Sequence, residues 1–192
     1  PGGAGAGAAA AAPTGPRGVD VILSNLTTGR DQLLGSVGDA SFNKTGDLLA
    51  YTVDATTKDA NGLFVLDLRN GRINALDNDA KVYNRLTWND TGTALAVLKG
   101  VDVDKSRERD NVLIAFSNVQ AALGDAQEPP PVVLDPAKAD GFPKGWVVSD
   151  RATLEWSDDT RRVFFGMKEQ VPAPAASARR SADEVADVDV WN

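Results

Sequence analysis

Chemistry has few residues to run on in this chain, because none of its 192 residues is histidine and none is cysteine. A histidine general base, a Ser-His-Asp or Cys-His triad, a histidine-ligated metal and a thiolate nucleophile are all excluded within it. Carboxylates, lysine, tyrosine and serine-lysine pairs remain. Ser41-Phe42-Asn43-Lys44 has the S-x-x-K spacing of a serine nucleophile with a nearby lysine, and Lys44-Thr45-Gly46 reads K-T-G. That chemistry needs the serine at a helix start, the K-T-G on a distant strand and an S-D-N between them. Here the two motifs share Lys44 and no S-D-N occurs, so both are read as parts of one β-turn. Gly35-Ser36-Val37-Gly38 lacks the upstream glycine and the strand-elbow-helix setting of a G-x-S-x-G nucleophile, and is expected to be a turn.

Metal and ligand signals fare no better. Asp102-Val103-Asp104-Lys105-Ser106 opens like a calcium loop, with oxygen ligands at alternate positions. Its sixth residue, however, is Arg107 instead of glycine and its twelfth is Leu113 instead of glutamate. A solvated hairpin loop balanced by Lys105, Arg107 and Arg109 is the expected structure. Arg179-Arg180 lies in Ala-, Ser- and Pro-rich surroundings and reads as an exposed loop. Of the tryptophans, Trp146 is the one whose surroundings suit ligand contact. No catalytic, cofactor-binding or metal-binding residue is therefore assigned.

The elements that would position such residues follow from composition and spacing. Twenty Lys and Arg against 27 Asp and Glu give a formal charge of −7, which disfavours a nucleic-acid or anionic-membrane surface. An apolar content of 42% with 24% charged residues suits a globular fold. Residues 1–18 are Gly, Ala or Pro at every position but Thr14 and Arg17, so they cannot anchor a core and read as a linker or tail. Ala8–Ala12 lacks the basic start and Leu-rich stretch of a secretory signal. No apolar run approaches the ~18 residues of a membrane-spanning helix. The opening proline and the strand-like ending Val188–Asn192 suggest a piece of a longer protein.

From residue 19 onward, short apolar runs with period-two alternation are separated by Gly, Asn, Asp and Thr turns, the pattern of antiparallel sheet. Helical periodicity is confined to Asn118–Gly124 and Ala182–Val185. An aromatic, a small polar turn and an apolar strand recur three times: from Phe42 to Tyr51, from Trp88 to Val97, and from Trp156 to Phe165. A second signal, Asn25-Leu26-Thr27-Thr28-Gly29-Arg30, recurs as Asp67-Leu68-Arg69-Asn70-Gly71-Arg72, 42 residues later. Two hairpin signals alternating at ~40–45 residues fit a four-stranded unit repeated radially, a β-propeller blade. In the turns, glycine accepts positive φ, and Asn or Asp bonds its own backbone. The aromatics Phe42, Trp88 and Trp156 are expected to face the inter-blade core.

The expected class is all-β, a partial propeller of about three four-stranded antiparallel blades. Residues 19–38 would be the outer half of one blade and 40–79 a whole blade. Residues 86–136 would be a blade with an insertion, and 154–192 the start of the next. The Pro-rich stretch Gln127–Pro131 and the loop Asp140–Trp146 account for the longer second interval. Closed propellers take ~4–8 blades, so the ring would be incomplete and its terminal faces adhesive.

Trp88-Asn89-Asp90-Thr91-Gly92-x-x-Leu95-Ala96 and Trp156-Ser157-Asp158-Asp159-Thr160 resemble the W-S-P-D-G-x-x-L-A blade motif. That motif belongs to TolB-like propellers and to the N-terminal propeller of prolyl-oligopeptidase-family serine peptidases. The stretches LEWSDDTRRVFFGMKEQ at 154–170 and DEVADVDVWN at 183–192 are more similar to the bacterial peptidase propellers. The resemblance implies a propeller of about seven or eight blades ahead of an α/β-hydrolase domain that holds a Ser-Asp-His triad. It also implies a periplasmic or secreted location. In such enzymes the propeller shields the hydrolase site and admits short or unfolded peptides. None of the triad can be carried over to this chain. Dipeptidyl members pair neighbouring glutamates on the peptide amine, whereas Glu108, Glu128, Glu155, Glu169 and Glu184 are nowhere adjacent.

The implied partners are a peptide substrate, met through a following hydrolase domain, and the remaining blades; no cofactor is implied. Two other readings stay open. One is a stand-alone TolB-like scaffold for protein partners. The other is a carbohydrate-acting propeller, which would need carboxylates such as Asp54, Asp110 or Asp158 to converge on a channel.

Overall fold

The computed structural model describes residues 18–125 and 127–173. The residues before Gly18, the Ala182–Val185 turn, Arg179-Arg180 and the 183–192 stretch with Trp191 lie outside the described residues. Among the described residues the fold is all-β but for one short helix and one 3-10 turn: a partial β-propeller built from antiparallel sheets.

The first sheet joins β1 (Val19–Asn25), β2 (Arg30–Phe42), β3 (Leu48–Val53), β4 (Gly62–Asp67) and β5 (Arg72–Asn78) in sequence order. The second joins β6 (Val82–Trp88), β7 (Leu95–Val101), β8 (Asp110–Phe116) and β9 (Pro131–Leu134) in the same meander. Helix α1 (Val119–Gly124) follows β8, after Asn118 in the left-handed region at φ 53°. The Pro-rich stretch delivers Pro131 as the first residue of β9, paired with Phe116 on the edge of the sheet. An edge position suits proline, which has no N–H to donate to a ladder. Beyond it, β10 (Trp146–Val148) pairs with β13 (Met167–Glu169), and β11 (Glu155–Trp156) with β12 (Val163–Phe164). The third aromatic-turn-strand unit thus forms the short β11–β12 ladder, and β10–β13 pairs the residues on either side of it.

Strand β2 serves two ladders. Val37 pairs with Val19 on one side and Val53 on the other, with a register shift between Val37 and Ala40. Ser36, at φ 52°, marks the bend. Gly35-Ser36-Val37-Gly38 is therefore a bent strand and not a separate turn. The bend folds the β1–β2 hairpin over one face of β3 and β4, where Val21, Leu23 and Leu34 pack with Leu49, Tyr51 and Leu66.

The opposite faces of β3 and β4 present Leu48, Ala50, Leu63 and Val65 to the second sheet, where they meet Tyr83, Leu95, Val97, Ile114 and Phe116. The other face of that second sheet, through Ala96, Leu98 and Leu113, packs on Val148 and Leu154. Leu95, Ala96, Val97 and Leu98 are each fully buried. A strand sandwiched on both sides needs apolar residues at every position, which explains why Leu95–Leu98 reads as an unbroken run. Leu95, Val97 and Leu98 each contribute about 1.5–3 kcal/mol through removal from water.

Trp88 packs against the core between the first two sheets, and Trp156 against the core beyond the second. Both indoles reach back in the same way: Trp88 Nε1 donates to Ser41 O at 3.0 Å, and Trp156 Nε1 to Thr87 O at 3.2 Å. In each case the acceptor immediately precedes the aromatic of the previous repeat. Phe42 departs from the expectation for this position, being 51% exposed. The β1–β2 hairpin covers Leu49 and Leu66 but leaves the Phe42 ring on the wall of an open surface cleft. Replacing Trp88 by Phe keeps an aromatic ring at this partly buried position but removes the N–H together with the second ring of the indole. A loss of about 1–3 kcal/mol in urea unfolding is expected from the lost bond and the smaller ring, and no change would sever the indole from the inter-sheet contact.

Candidate functional site

Asn43 and Asn89 organise equivalent turns. Asn43 Oδ1 accepts the N–H of Asp47 at 3.1 Å and of Leu48 at 3.0 Å; Asn89 Oδ1 accepts those of Thr93 at 2.8 Å and Ala94 at 2.9 Å. Each amide group then reaches the following repeat: Asn43 Nδ2 lies 3.5 Å from Gly92 O, and Asn89 Nδ2 donates to Thr160 Oγ1 at 2.9 Å. Thr160 occupies the turn position held elsewhere by glycine, at φ 58°. That conformation strains a β-branched residue, and the bond from Asn89 is the contact that glycine could not make. Ser41 and Lys44 flank and enter the first of these turns, as the sequence indicates; Ser41 Oγ is hydrogen-bonded to Phe42 O at 3.4 Å.

At the opposite ends of the inner strands lies a charged cleft of about 530 Å³. Its walls come from the bend of β2, the start of β6, the β7–β8 loop and the segment after β10. Asp39 bridges the first two sheets, accepting Leu86 N–H through Oδ2 at 3.1 Å. Arg85, in the left-handed region at φ 59°, bridges the next two by donating from Nε to Asp150 O. Arg109 is buried and ion-paired to Asp102 at 2.9 Å and Asp150 at 3.5 Å.

Glu108 is the most heavily invested residue of the cleft. Its side chain is 3% exposed, with Lys168 Nζ 2.8 Å from one carboxylate oxygen and Arg151 Nε 3.1 Å from the other. Arg107 Nε stands 3.9 Å away. Its backbone is clamped by Gln170, whose Oε1 accepts Glu108 N–H at 3.1 Å while its Nε2 donates to Glu108 O at 2.8 Å. The Lys168 hydrogen bond, followed by that of Arg151, holds the carboxyl below the usual glutamate range against the opposing effect of burial. The loop carrying Glu108 is also zipped to the following segment by Arg107 N to Val171 O and Ala173 N to Lys105 O.

This arrangement was not visible in the sequence, where Arg107 and Arg109 read as counter-charges for a solvated loop. Arg109 does neutralise Asp102, but from a buried position. Arg151 and Lys168 lie 43 and 60 residues beyond Glu108 in sequence, and only the blade packing brings them to it. Alternating charge at Arg107-Glu108-Arg109 was the one local signal.

Trp146 is 41% exposed, and it lines a second cavity of about 690 Å³ with Val101, Phe142 and Pro143. Lys99, on its rim, is ion-paired to Asp77 at 2.9 Å and lies over the Tyr83 ring. Burial and the bond to Asp77 push the Tyr83 hydroxyl's pKa upward. Asp54 lines the charged cleft, Asp110 lines the Trp146 cavity, and Asp158 belongs to the third turn. These three carboxylates do not converge on one channel. Among the described residues no helix is long and apolar enough to cross a membrane.

No protein-family model and no curated protein matches the chain. Solved structures do. The β-propeller domain of the Trilobed protease from Pyrococcus furiosus is 12% identical at a TM-score of 0.44, over 67% of this chain and 36% of that one. The acylaminoacyl peptidase of Pyrococcus horikoshii is 13% identical at 0.40, over 60% and 20%. An acylaminoacyl peptidase in complex with Z-Gly-Gly-Phe-chloromethyl ketone is 10% identical at 0.41, over 60% and 21%. The chain thus spans between a fifth and about a third of those proteins. Its own sheet order and recurring turns carry the propeller assignment.

Proposed function

We propose that the chain is a non-catalytic propeller segment of a prolyl-oligopeptidase-like serine peptidase, shielding the hydrolase site and filtering the peptides that reach it. The observation that carries this reading is the repeated unit of Trp88 and Trp156, whose indoles and turns join sheet to sheet at the positions where the chain resembles the peptidase blade motif. The absence of histidine agrees with it, since a Ser-Asp-His triad would have to lie outside these 192 residues. The charged cleft at the ends of the inner strands gives the filter a polar surface that a peptide backbone or terminus can engage.

The purified chain is expected to hydrolyse no peptide substrate and to take no label from a fluorophosphonate probe. The coding sequence beyond Asn192 is expected to contain a G-x-S-x-G serine followed by Asp and His, and the whole protein to hydrolyse peptides. Persistent hydrolysis by the pure chain would overturn the reading. So would a reading frame that ends after further blades with no such serine, which would leave a TolB-like scaffold for protein partners.

A further inference from the structure

The charges lining the cleft are unequally committed. Each carboxylate already has a partner: Asp39 takes Leu86 N–H, Asp54 holds Lys58 at 2.5 Å, Asp102 and Asp150 share Arg109, and Glu108 holds Lys168 and Arg151. Three guanidiniums do not reciprocate. Arg85 is engaged through Nε with Asp150 O, Arg151 through Nε with Glu108, and Arg107 through Nε at 3.9 Å from Glu108. Among the described residues no acceptor is hydrogen-bonded to the terminal nitrogens of any of the three. Arg107 and Arg151 are 54% and 58% exposed, and all three line the cleft.

A guanidinium fixed at Nε presents its two terminal N–H groups as a planar fork, the geometry that a carboxylate accepts in bidentate fashion. Glu108 does not occupy those forks: its two oxygens meet Lys168 Nζ and Arg151 Nε, and Arg107 Nε stands 3.9 Å away. Around Glu108 three cations face one carboxylate, so that corner is locally positive, although the lining of the whole cleft has five carboxylates to four arginines.

We propose that this cleft is a carboxylate-binding site that takes the C-terminal carboxylate, or an acidic side chain, of a short peptide. The choice of a peptide rests on the peptidase-propeller reading; the carboxylate chemistry does not. Arg107 and Arg151 hold the anion, and Glu108 positions Arg151.

The test is equilibrium binding by titration calorimetry on the 192-residue chain, with three probes: tri-alanine free acid, tri-alanine amide, and an N-acetylated, C-amidated Ala-Glu-Ala. The free acid should bind and the tri-alanine amide should bind at least about tenfold more weakly, the loss expected for a charge-assisted fork. Comparable binding of Ala-Glu-Ala and the free acid would identify the side chain as a second source of the same anion. Arg107→Gln should weaken the free acid about tenfold without moving the urea midpoint, since Lys168 and Arg151 still neutralise Glu108. Equal binding of free acid and amide, or no binding of the free acid at millimolar concentration, would overturn the site. Because the assay needs no hydrolysis, a chain with no hydrolase partner would still show the binding.

Discussion

Alanine at position 92 is expected to cost about 3 kcal/mol, against about 1 kcal/mol for alanine at the equivalent position 46. Both glycines sit in the left-handed region, Gly46 at φ 73° and Gly92 at φ 71°, so both substitutions carry the same backbone strain of about 1–2 kcal/mol. Their surroundings differ. A Cβ on Gly46 meets nothing, while one on Gly92 falls 2.4 Å from the Lys44 backbone nitrogen and 2.9 Å from Lys44 Cβ. A backbone atom cannot rotate away, so the second turn must withdraw from the first, stretching the Asn43–Gly92 contact. Paired urea denaturations of Gly46→Ala and Gly92→Ala measure the difference. Equal losses would mean that the turns do not touch, and the blade-to-blade packing described above would fall with them.

A second large effect is expected at Glu108. Replacement by glutamine keeps the shape of the side chain but leaves Lys168, Arg151 and Arg107 around a neutral group. Breaking a buried pair costs about 3–5 kcal/mol, and the partial exposure of the cations brings the expected loss here to about 2–3 kcal/mol at neutral pH. The effect has a defined pH signature. The folded-state pKa of Glu108 is lowered, so its ionisation stabilises the fold above the unfolded value and that stabilisation is lost as pH falls through the folded value. The wild type should therefore lose stability on acidification faster than Glu108→Gln, and the gap between them should begin to narrow as pH falls past the unfolded glutamate value of about 4.3 and close below the lower folded value. A gap of the same size at pH 7 and pH 3 would show that the carboxylate's charge contributes nothing.

The turns were legible in the sequence because their determinants are local. An Asn or Ser followed three residues later by Gly or Thr states both the side-chain acceptor and the backbone reversal, and 43–48, 89–94 and 157–162 all form as read. Strands β3 and β7 were equally plain, since burial on two faces makes Leu48–Tyr51 and Leu95–Leu98 continuous runs of apolar and aromatic residues. Phe42 was misread, because an aromatic at a repeat position does not reveal whether anything packs on it. The bend in β2 was missed for a related reason: Ser36 at positive φ is imposed by the two ladders meeting at Val37, not by serine's own preference. Glu108 was invisible because its partners are contributed by a neighbouring blade.

The tryptophan links all run one way, from a later repeat to an earlier strand. Such a chain of contacts has polarity, like a row of hooks each fastened to the eye before it. The second and third units each own a hook, and the first, with Phe42 in that place, offers only an eye; coupling is therefore to the immediate neighbour, and stability accumulates as a sum of unit and nearest-neighbour contributions. Damage to one fastening is then confined to the two units it joins. A unit inserted with the same hook and eye would extend the row without redesign of the rest, which gives a physical route by which repeats of this kind can vary in number while keeping one architecture.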